Sequence, residues 1–323
     1  MDQNTVAGRP EYWARSKRLK CNTLKEEWME MKNSNHRTPP EIDRCHGTNK
    51  IALVTGASRG VGKGIAMGLG ETGATVYVTG RNMVDGQDAG QLGGTPLMTA
   101  SSVTASGGKG IAVRCDHTQD AQTQEVFGQI ERESGRLDIL VNNAWSGYEN
   151  MFEGGEFTYQ RPFWEQPMWR WDAMFDTGVR AAYVCAAHAA RGMIKQKSGL
   201  IVNISYWSAQ RYMNNAAYGI AKAAIDKMTE YMALELKPFG VAVVSLYPGL
   251  VRTESVMRSA EYFDLSNSES PQFIGRAVAA LANDADVMKK SGQVCIAAQL
   301  GLEYGFTDVD DTQPRALTAA TAQ

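Results

Sequence analysis

The stretch 51-IALVTGASRGVG-62 decides the fold of this chain. Four apolar residues lead directly into a loop whose glycines are spaced G-x-x-x-G-x-G. Glycine permits a tight turn out of a strand and a close backbone approach to a ligand, and a following helix presents free N–H groups and a positive dipole end. An apolar strand, this loop and a helix in succession predict a dinucleotide pyrophosphate site. Its predicted members are Gly56, Ser58, Arg59, Gly60, Val61 and Gly62.

The same alternation of apolar runs and helical segments continues to the end of the chain. Predicted strands cover residues 51–55, 75–79, 110–115, 137–142, 200–205, 241–246 and 293–297. Predicted helices cover residues 60–71, 119–134, 169–196, 217–236 and 272–283. Strands without polar alternation that are separated by helices indicate a parallel sheet covered on both faces. We therefore expect a single doubly wound, Rossmann-type α/β domain, whose ligand crevice lies at the carboxyl ends of the strands.

The domain is predicted to cover residues 50–305, between two flanking segments. Residues 1–49 are polar, contain Pro39 and Pro40, and have one helical pattern near residues 11–32. We expect them to form an N-terminal extension that is flexible or packs on the domain. Residues 306–323 are expected to form a C-terminal tail.

Composition narrows the class of protein. The net charge is −2, with 43% hydrophobic and 21% charged residues, which gives no indication of a nucleic-acid partner or an anionic membrane surface. Five scattered cysteines favour free thiols, and four dispersed histidines give no metal site. Neither a secretory apolar segment nor a run of about 20 apolar residues occurs, so the prediction is a cytoplasmic protein without a membrane span.

The end of the second strand indicates the cofactor. An acidic residue there would bind the ribose hydroxyls of NAD and repel a 2′-phosphate. Gly80 occupies that position, and Arg81 follows it. Together with Arg59, Arg81 offers two guanidinium groups whose charge and forked geometry suit a phosphate. The sequence therefore favours NADP(H) over NAD(H).

A tyrosine and a lysine four residues apart form the predicted catalytic pair. Tyr218 and Lys222 lie on one face of a helix that follows the fifth strand. A free phenol titrates near about 10, and a nearby ammonium favours the phenolate. We expect Tyr218 to exchange a proton near neutral pH during alcohol oxidation or carbonyl reduction, and Lys222 to bind the ribose of the cofactor as well.

Together these motifs resemble the short-chain dehydrogenase/reductase family over roughly residues 50–300. The resemblance rests on residues 55–62, Asn142-Asn143-Ala144, Tyr218 with Lys222, and Pro248-Gly249 in this order. The segments 247–254 and 304–310 are most similar to the subgroup of dehydrogenase/reductase family member one. The resemblance implies that Tyr218 is the acid/base and that further residues bind the cofactor. These are Asp116 at the adenine, Asn142 and Ala144 at the ribose, and Pro248, Val251 and Thr253 at the nicotinamide.

Three positions depart from the family pattern. Gly178 stands where the family has an asparagine that organises water, and Trp145 replaces the last glycine of Asn-Asn-Ala-Gly. The serine is ambiguous: Ser205 has the family spacing when counted back from Tyr218, whereas Tyr206 occupies the serine's place when counted from the strand. Ser205 is the first candidate for the catalytic serine, Tyr206 the alternative and Ser208 the third.

The substrate side is rich in aromatic residues. Nine aromatic residues lie between positions 145 and 171. They indicate a small hydrophobic or aromatic carbonyl/alcohol substrate. For any single ring, packing in a surface excursion of the chain or a contact between subunits is an equally good explanation. The resemblance to the family implies that the segment 254–271 is a mobile lid over the substrate. An alanine-rich helix at residues 179–190 leads us to expect a homodimer or homotetramer. The altered family positions leave one alternative, a nucleotide-binding regulatory or structural protein with little or no turnover.

Overall fold

The computed structural model describes residues 49–84, 92–148 and 151–322. The predicted extension 1–49, with its helical pattern at residues 11–32, lies outside the described residues except for Asn49. The predicted boundaries of the domain and its flanking segments therefore remain predictions.

Seven parallel strands form the central sheet, in the order β7-β6-β5-β4-β1-β2-β3. They are β1 Ile51–Val54, β2 Thr75–Gly80, β3 Lys109–Arg114, β4 Ile139–Asn142, β5 Gly199–Ile204, β6 Val241–Tyr247 and β7 Val294–Ile296. Leu53 on β1 lies between Tyr77 on β2 and Leu140 on β4. The chain builds the sheet outward from β1 to β3 and then returns to β4, so strand order reverses between β1 and β4. Ligands bind in the crevice at such a switch point.

Helices cover both faces of the sheet, which confirms the predicted doubly wound α/β fold. They are α1 Gly60–Glu71, α2 Pro96–Ala105, α3 Asp120–Ser134, α4 Met168–Ala173, α5 Ala181–Gln196, α6 Ala216–Leu236, α7 Glu254–Arg258, α8 Pro271–Asn283 and α9 Ala297–Tyr304. One buried apolar cluster lies on each face, around Ile65 and Phe273 on one side and around Ile130 and Met193 on the other. Strands β1, β2, β4, β5 and β6 are largely buried, because helices pack on both faces of the sheet, whereas the edge strands β3 and β7 are only partly buried.

The observed helices differ from the predicted ones at several places. The predicted helix 169–196 is interrupted by a π-helical segment, Met174–Arg180, between α4 and α5. Helix α2 was not predicted, and it begins where Thr95 accepts a hydrogen bond from the Met98 N–H at 3.1 Å and Pro96 occupies the first turn.

The C-terminal residues pack on the domain. The ring of Phe306 lies 5.2 Å from that of Phe273 on α8, and Asp308 is fully buried. Ala322 belongs to a small apolar cluster with Trp207 and Tyr247. Within the described ranges, no helix is both long and apolar enough to cross a bilayer.

Candidate active site

The glycine loop forms a backbone cradle against the segment that follows β4. Gly56 has a φ of +63°, and a Cβ atom there would lie 2.7 Å from the Cα of Ala144. A Cβ atom on Gly62 would lie 2.4 Å from the amide nitrogen of Asn143. Asn143 donates from Nδ2 to the carbonyl oxygens of Thr55 and Gly56, each at 3.0 Å. Only glycine fits these contacts, so the two loops meet closely at the switch point.

An anion already lies at the first turn of α1. The Gly60 N–H donates to Oε2 of Glu254 at 2.9 Å, across 194 residues of sequence. The preceding residue, Arg59, is extended and provides no side-chain cap for the helix. A carboxylate on the N-terminus of α1 demonstrates that this turn binds negative charge, as a dinucleotide phosphate site requires. Ser58 and Val61 flank Gly60 in the same turn and are half-buried.

Packing explains why no acid stands at the end of β2. A Cβ atom on Gly80 would lie 2.8 Å from Cγ of Pro96 and 3.4 Å from Cβ of Ser58. The ribose-binding carboxylate of NAD-specific sites therefore has no space at this position. Arg81 follows as an exposed residue, and Arg59 is half-buried in the neighbouring loop.

Asp116 follows β3 at the same edge of the sheet. Its Oδ1 accepts hydrogen bonds from the backbone N–H and the hydroxyl of Thr118, at 3.0 and 2.8 Å. Its own N–H donates to Gln122 at 2.9 Å, and these bonds hold the turn into α3. The predicted adenine contact thus lies in an ordered turn at the edge of the crevice.

Asn142 and Ala144 are held by contacts between neighbouring elements. The Asn142 amide donates to the Ala182 carbonyl at 3.2 Å and to Oδ1 of Asn203 at 2.8 Å. The Ala144 N–H donates to the Thr55 hydroxyl at 3.0 Å. The structure therefore ties the predicted ribose-binding residues to both the glycine loop and β5. The role of Asn143 as a clamp was missed, because its motif does not reveal which loop its side chain reaches.

Tyr218 and Lys222 lie one turn apart at the start of α6. Asn215 caps this helix by accepting a hydrogen bond from the Tyr218 N–H at 2.9 Å. Lys222 is only 6% exposed, and its ammonium donates to the Ile204 carbonyl at 3.1 Å and lies 5.8 Å from the ring of Tyr218. Burial lowers the pKa of Lys222 to about 7, although the Asp226 carboxylate opposes this shift.

Aromatic rings surround the Tyr218 phenol. The ring of Trp145 lies 5.5 Å from it edge-on, and Tyr148 lies 5.8 Å from it. Burial raises the pKa of Tyr218, and the nearby hydroxyls of Tyr148 and Ser208 lower it in part. We expected the ammonium to lower this pKa, but burial outweighs the other influences. The phenol is therefore protonated at neutral pH.

The structure separates the candidate serines. Ser205 is 1% exposed, and its hydroxyl donates to the Lys222 carbonyl at 3.3 Å and interacts with Asp226. Ser208 is the serine that interacts with the Tyr218 phenol. Tyr206 is half-buried and lies close enough to Tyr218 for the charge of a Tyr218 phenolate to raise the pKa of Tyr206. The fold thus brings Ser208 and Tyr206 to the acid/base candidate, and it directs Ser205 towards α6.

The loop after β6 is braced by the lid and the tail. Pro248 and Gly249 are buried, and the Gly249 N–H donates to Glu269 at 2.6 Å. Val251 pairs in parallel with Glu269, and Thr253 caps α7 by accepting from the Val256 N–H at 3.3 Å. These contacts hold the three predicted nicotinamide-binding residues in an ordered turn.

Asp308 of the tail anchors this loop. Its carboxylate binds Arg252 at 3.1 Å and accepts from the Ser270 N–H at 2.7 Å, where α8 begins. The predicted tail therefore supports the loop after β6, although the two are many residues apart in the sequence. Its Asp-Val-Asp sequence was the available signal, but nothing local showed that the first aspartate is buried.

A cavity opens beside Tyr206, between the loop after β6, the lid and the tail. It has a volume of about 260 Å³ and is lined by Tyr206, Leu250, Asp264, Ser266, Asn267, Arg315, Ala316, Leu317 and Thr321. Of the predicted aromatic wall, Trp145, Tyr148 and Tyr159 lie around Tyr218, whereas Phe163, Trp164 and Trp171 are exposed. The described residues contain no cluster of three or more metal-ligating side chains suited to a metal ion.

Comparison with known proteins points to one family. The model described as short chain dehydrogenase matches residues 50–262. Dehydrogenase/reductase SDR family member 1 of Mus musculus and of Homo sapiens are each 38% identical over 275 residues, covering 81% of this chain and 83% of theirs. The 3-oxoacyl-[acyl-carrier-protein] reductase of Synechocystis is 29% identical over 254 residues, covering 76% of this chain and 94% of its own.

Solved structures have the same fold. A putative dehydrogenase from Xanthomonas campestris superposes with a TM-score of 0.68 at 25% identity, covering 82% of this chain and 93% of its own. A metagenomic short-chain oxidoreductase in complex with NADP superposes with a TM-score of 0.60 at 27% identity, covering 77% of this chain and 96% of its own.

Proposed function

We propose that this chain is an NADP(H)-dependent enzyme that interconverts a carbonyl and an alcohol on a hydrophobic small molecule. The chain belongs to the short-chain dehydrogenase/reductase family of oxidoreductases, and within it resembles the member-one subgroup. The observation that carries this proposal is the position of Tyr218 and Lys222. Trp145 contacts both side chains, and its neighbour Ala144 contacts Gly56 in the glycine cradle. Two adjacent residues, Ala144 and Trp145, thus connect the proposed proton-transfer pair with the proposed phosphate cradle.

The cofactor would be held along the switch point. The first turn of α1 would bind the pyrophosphate, and Arg59 and Arg81 would bind a 2′-phosphate. The remaining predicted contacts are Asp116, Asn142, Ala144, Tyr218, Lys222, Pro248, Val251 and Thr253. When bound, the nicotinamide gives or takes the hydride. The missing space for an acid at Gly80 supports NADP(H), and one structural neighbour is a complex with NADP.

Tyr218 supplies the proton in this proposal. A carbonyl that accepts a hydride becomes an alkoxide, which needs a proton from a group close by. The raised pKa keeps the Tyr218 phenol protonated at neutral pH, which is the form that carbonyl reduction consumes. The Lys222 ammonium lies near enough to stabilise the phenolate that remains. The Ser208 or Tyr206 hydroxyl would donate to the carbonyl oxygen.

The substrate would lie between the aromatic rings and the cavity beside Tyr206. Leu250 and Leu317 line this cavity with apolar surface, and polar groups of the lid and tail form its rim. The rings around Tyr218, together with Leu250 and Leu317, offer the apolar surface that suits a hydrophobic or aromatic carbonyl compound, and the polar residues of the lining could orient it. The proposal includes a cytoplasmic location and assembly as a homodimer or homotetramer.

One observation favours the alternative of a nucleotide-binding protein without turnover. Ser205, which has the family spacing, is committed to the Lys222 carbonyl and does not interact with Tyr218. In that case the cradle would bind NADP(H), but no carbonyl would be reduced.

The deciding experiment measures NADPH oxidation by the purified protein against a panel of aliphatic, cyclic and aromatic carbonyl compounds. We expect turnover with at least one hydrophobic member. On that substrate, Tyr218→Phe should lower turnover by roughly 10²–10⁴-fold because the exchangeable proton is lost. NADPH affinity should barely change, since the phenol acts on the substrate.

Tyr231→Phe is the matched control, because Tyr231 lies on the same helix with 57% exposure. It should keep the parent rate. NADPH binding without turnover of any compound would favour the alternative, and a Tyr218→Phe variant with the parent rate would contradict the mechanism.

A further inference from the structure

The ring of Trp145 covers the buried ammonium at the base of α6. The Lys222 Nζ atom lies 4.0 Å from the centre of the Trp145 ring, closer than to the ring of Tyr218. The same indole meets Tyr218 edge-on at 5.5 Å. One side chain from the loop after β4 therefore contacts both members of the proposed catalytic pair.

Gly178 provides the space that this ring occupies. A Cβ atom on Gly178 would lie 2.4 Å from Cζ3 and 2.6 Å from Cε3 of Trp145. Gly178 is buried inside the π-helical segment Met174–Arg180. Its backbone does not need glycine for conformational reasons, because its φ is not positive. Glycine at position 178 is therefore required because the indole of Trp145 occupies the space of a side chain.

The indole is not held by a hydrogen bond of its own. Its Nε1 atom is buried and has no hydrogen-bond partner among the described residues. Its orientation thus depends on packing and on the ammonium beneath its face. Attraction between a desolvated ammonium and an indole face is the strongest form of the cation–π interaction.

Few other groups act on Lys222. The Ile204 carbonyl at the end of β5 accepts one of its three N–H donors. The nearest charge is Asp226, one turn further along α6, and Ser245 and Tyr247 of β6 both donate to that carboxylate. Tyr218 lies one turn before Lys222, and the loop after β4 contributes the Trp145 ring. Among the groups that contact or act on the Lys222 ammonium, the indole face of Trp145 is therefore a principal one.

We propose that Trp145 is a positioning residue that holds the protonated Lys222 ammonium beside Tyr218 through its ring face, and that Gly178 is the space that makes this contact possible. Only the catalytic importance of the contact rests on the proposed function, because the contact itself exists without cofactor or substrate. The ring stabilises the charged form of Lys222 and so opposes the effect of burial on its pKa. Weakening the ring's electrostatic field should therefore lower the pKa of Lys222 below its value of about 7.

The test titrates Lys222 by NMR in ligand-free protein labelled with [13Cε]lysine. The signal of Lys222 is identified as the one missing from Lys222→Arg, and its midpoint lies far below that of exposed lysines. Trp145 is then replaced, by site-specific incorporation, with difluorinated and tetrafluorinated tryptophan. These analogues keep the shape of the ring and withdraw electron density from its face.

We expect the midpoint to fall in the order of fluorination, by about 0.5 to 1 pH unit for the tetrafluorinated ring. The same analogue at Trp164, an exposed residue that packs on Phe163, should leave the midpoint unchanged. An unchanged or raised midpoint with fluorinated Trp145 would overturn the proposal.

The variant Gly178→Ala tests whether Gly178 provides the space that the Trp145 ring occupies. The added methyl group must displace the indole, so the Lys222 midpoint should fall as it does after fluorination. In Gly178→Ala combined with Trp145→Leu, the midpoint should be that of Trp145→Leu alone, because both changes remove the same contact. Additive effects would contradict the role of Gly178. If Gly178→Ala does not fold, Trp145→Phe tests the contact between the ring and Lys222 without added volume. The Lys222 midpoint should then lie between those of the parent and of Trp145→Leu.

The titration needs neither cofactor nor substrate. A protein that reduces no carbonyl compound would refute the proposed function and leave this result standing. Conversely, an active enzyme whose Lys222 midpoint ignores Trp145 would refute only the positioning role.

Discussion

In our proposal, two arginines and one glycine favour NADP(H) in the crevice. Gly80 closes the position where a carboxylate would bind a ribose, because Pro96 of α2 packs against it. Arg59 and Arg81 flank this position from the glycine loop and from the end of β2. The proposed preference for NADP(H) therefore rests on a close packing contact as well as on charge.

Arg81→Ala should weaken binding of NADPH much more than binding of NADH. A charge-assisted contact with phosphate contributes about 1.5–3 kcal/mol, or roughly 10- to 150-fold in affinity. Fluorescence titration with both cofactors measures the difference. Arg132→Ala is the control, since Arg132 pairs with Glu125 on the exposed side of α3. Equal losses for NADPH and NADH would sink the assignment of NADP(H).

The orientation of neighbouring side chains distinguishes the candidate hydroxyls for polarising the substrate. Ser205 faces the Lys222 carbonyl and Asp226, whereas Ser208 interacts with the Tyr218 phenol. In our proposal Ser208 is therefore the candidate for a substrate-polarising hydroxyl, since its buried hydroxyl has no hydrogen-bond partner among the described residues, while Ser205 braces α6 against the sheet.

Ser208→Ala should therefore reduce turnover more than Ser205→Ala. Loss of one donor to a developing oxyanion costs about 10²-fold or more in kcat. Ser205→Ala should mainly lower the melting temperature, because a buried hydrogen bond worth about 1 kcal/mol is lost. Tyr206→Phe is measured beside them as the third candidate. A larger fall in turnover for Ser205→Ala, with NADPH binding intact, would restore Ser205 as the catalytic serine.

At the scale of elements, α7 and α1 share one charge contact. Glu254 in the first turn of α7 accepts the Gly60 N–H at the start of α1. A cofactor phosphate and this carboxylate would compete for the same positive helix end, because both are anions that seek its free N–H groups. The segment 254–271 is thereby connected to the proposed phosphate site.

Glu254→Gln should tighten NADPH binding several-fold. The neutral amide removes one negative charge from a helix end where a charge is worth about 0.3–1 kcal/mol, and it also relieves repulsion of the phosphates. Titrations at low and high salt should show a larger gain at low salt, because salt screens charge. Glu261→Gln, an exposed change in the same lid, should leave the affinity unchanged. Weaker binding by Glu254→Gln would indicate that the carboxylate helps the cofactor instead.

At the scale of the whole molecule, an apolar groove lies between the π-helical segment, α5 and α6. It has a volume of about 620 Å³, and its lining includes Phe175, Val179, Tyr183, Tyr231 and Met232. The alanines on which assembly was predicted do not form this surface, because Ala181, Ala182, Ala186 and Ala189 pack into the core. The exposed aromatic residues of the groove are a better basis for the same expectation.

We expect the protein to be a homodimer or homotetramer in solution, with these helices at the contact. Tyr183→Asp places a charge on this surface, where Tyr183 is 59% exposed, and should yield a monomer in light scattering at micromolar concentration. Tyr262→Asp, on the exposed lid, should leave the assembly intact. A parent protein that is already monomeric at this concentration would refute the prediction.

Local periodicity determined much of this protein from its sequence. The apolar runs predicted all seven strands of the sheet, because a strand buried on both faces needs continuous apolar residues. The glycine spacing predicted the loop after β1, and the four-residue spacing of Tyr218 and Lys222 predicted a pair on one face of a helix. Both motifs are short segments, so local geometry is enough to predict them.

Only the tertiary structure decided the contacts that join distant segments. The sequence does not reveal that Ser205 faces α6, that Glu254 reaches Gly60, or that Trp145 lies on Lys222 in the space left by Gly178. The physical reason is that these contacts depend on strand order. A parallel sheet brings the carboxyl ends of β1, β4, β5 and β6 to one edge, and the side chains of their loops meet only after the sheet has formed.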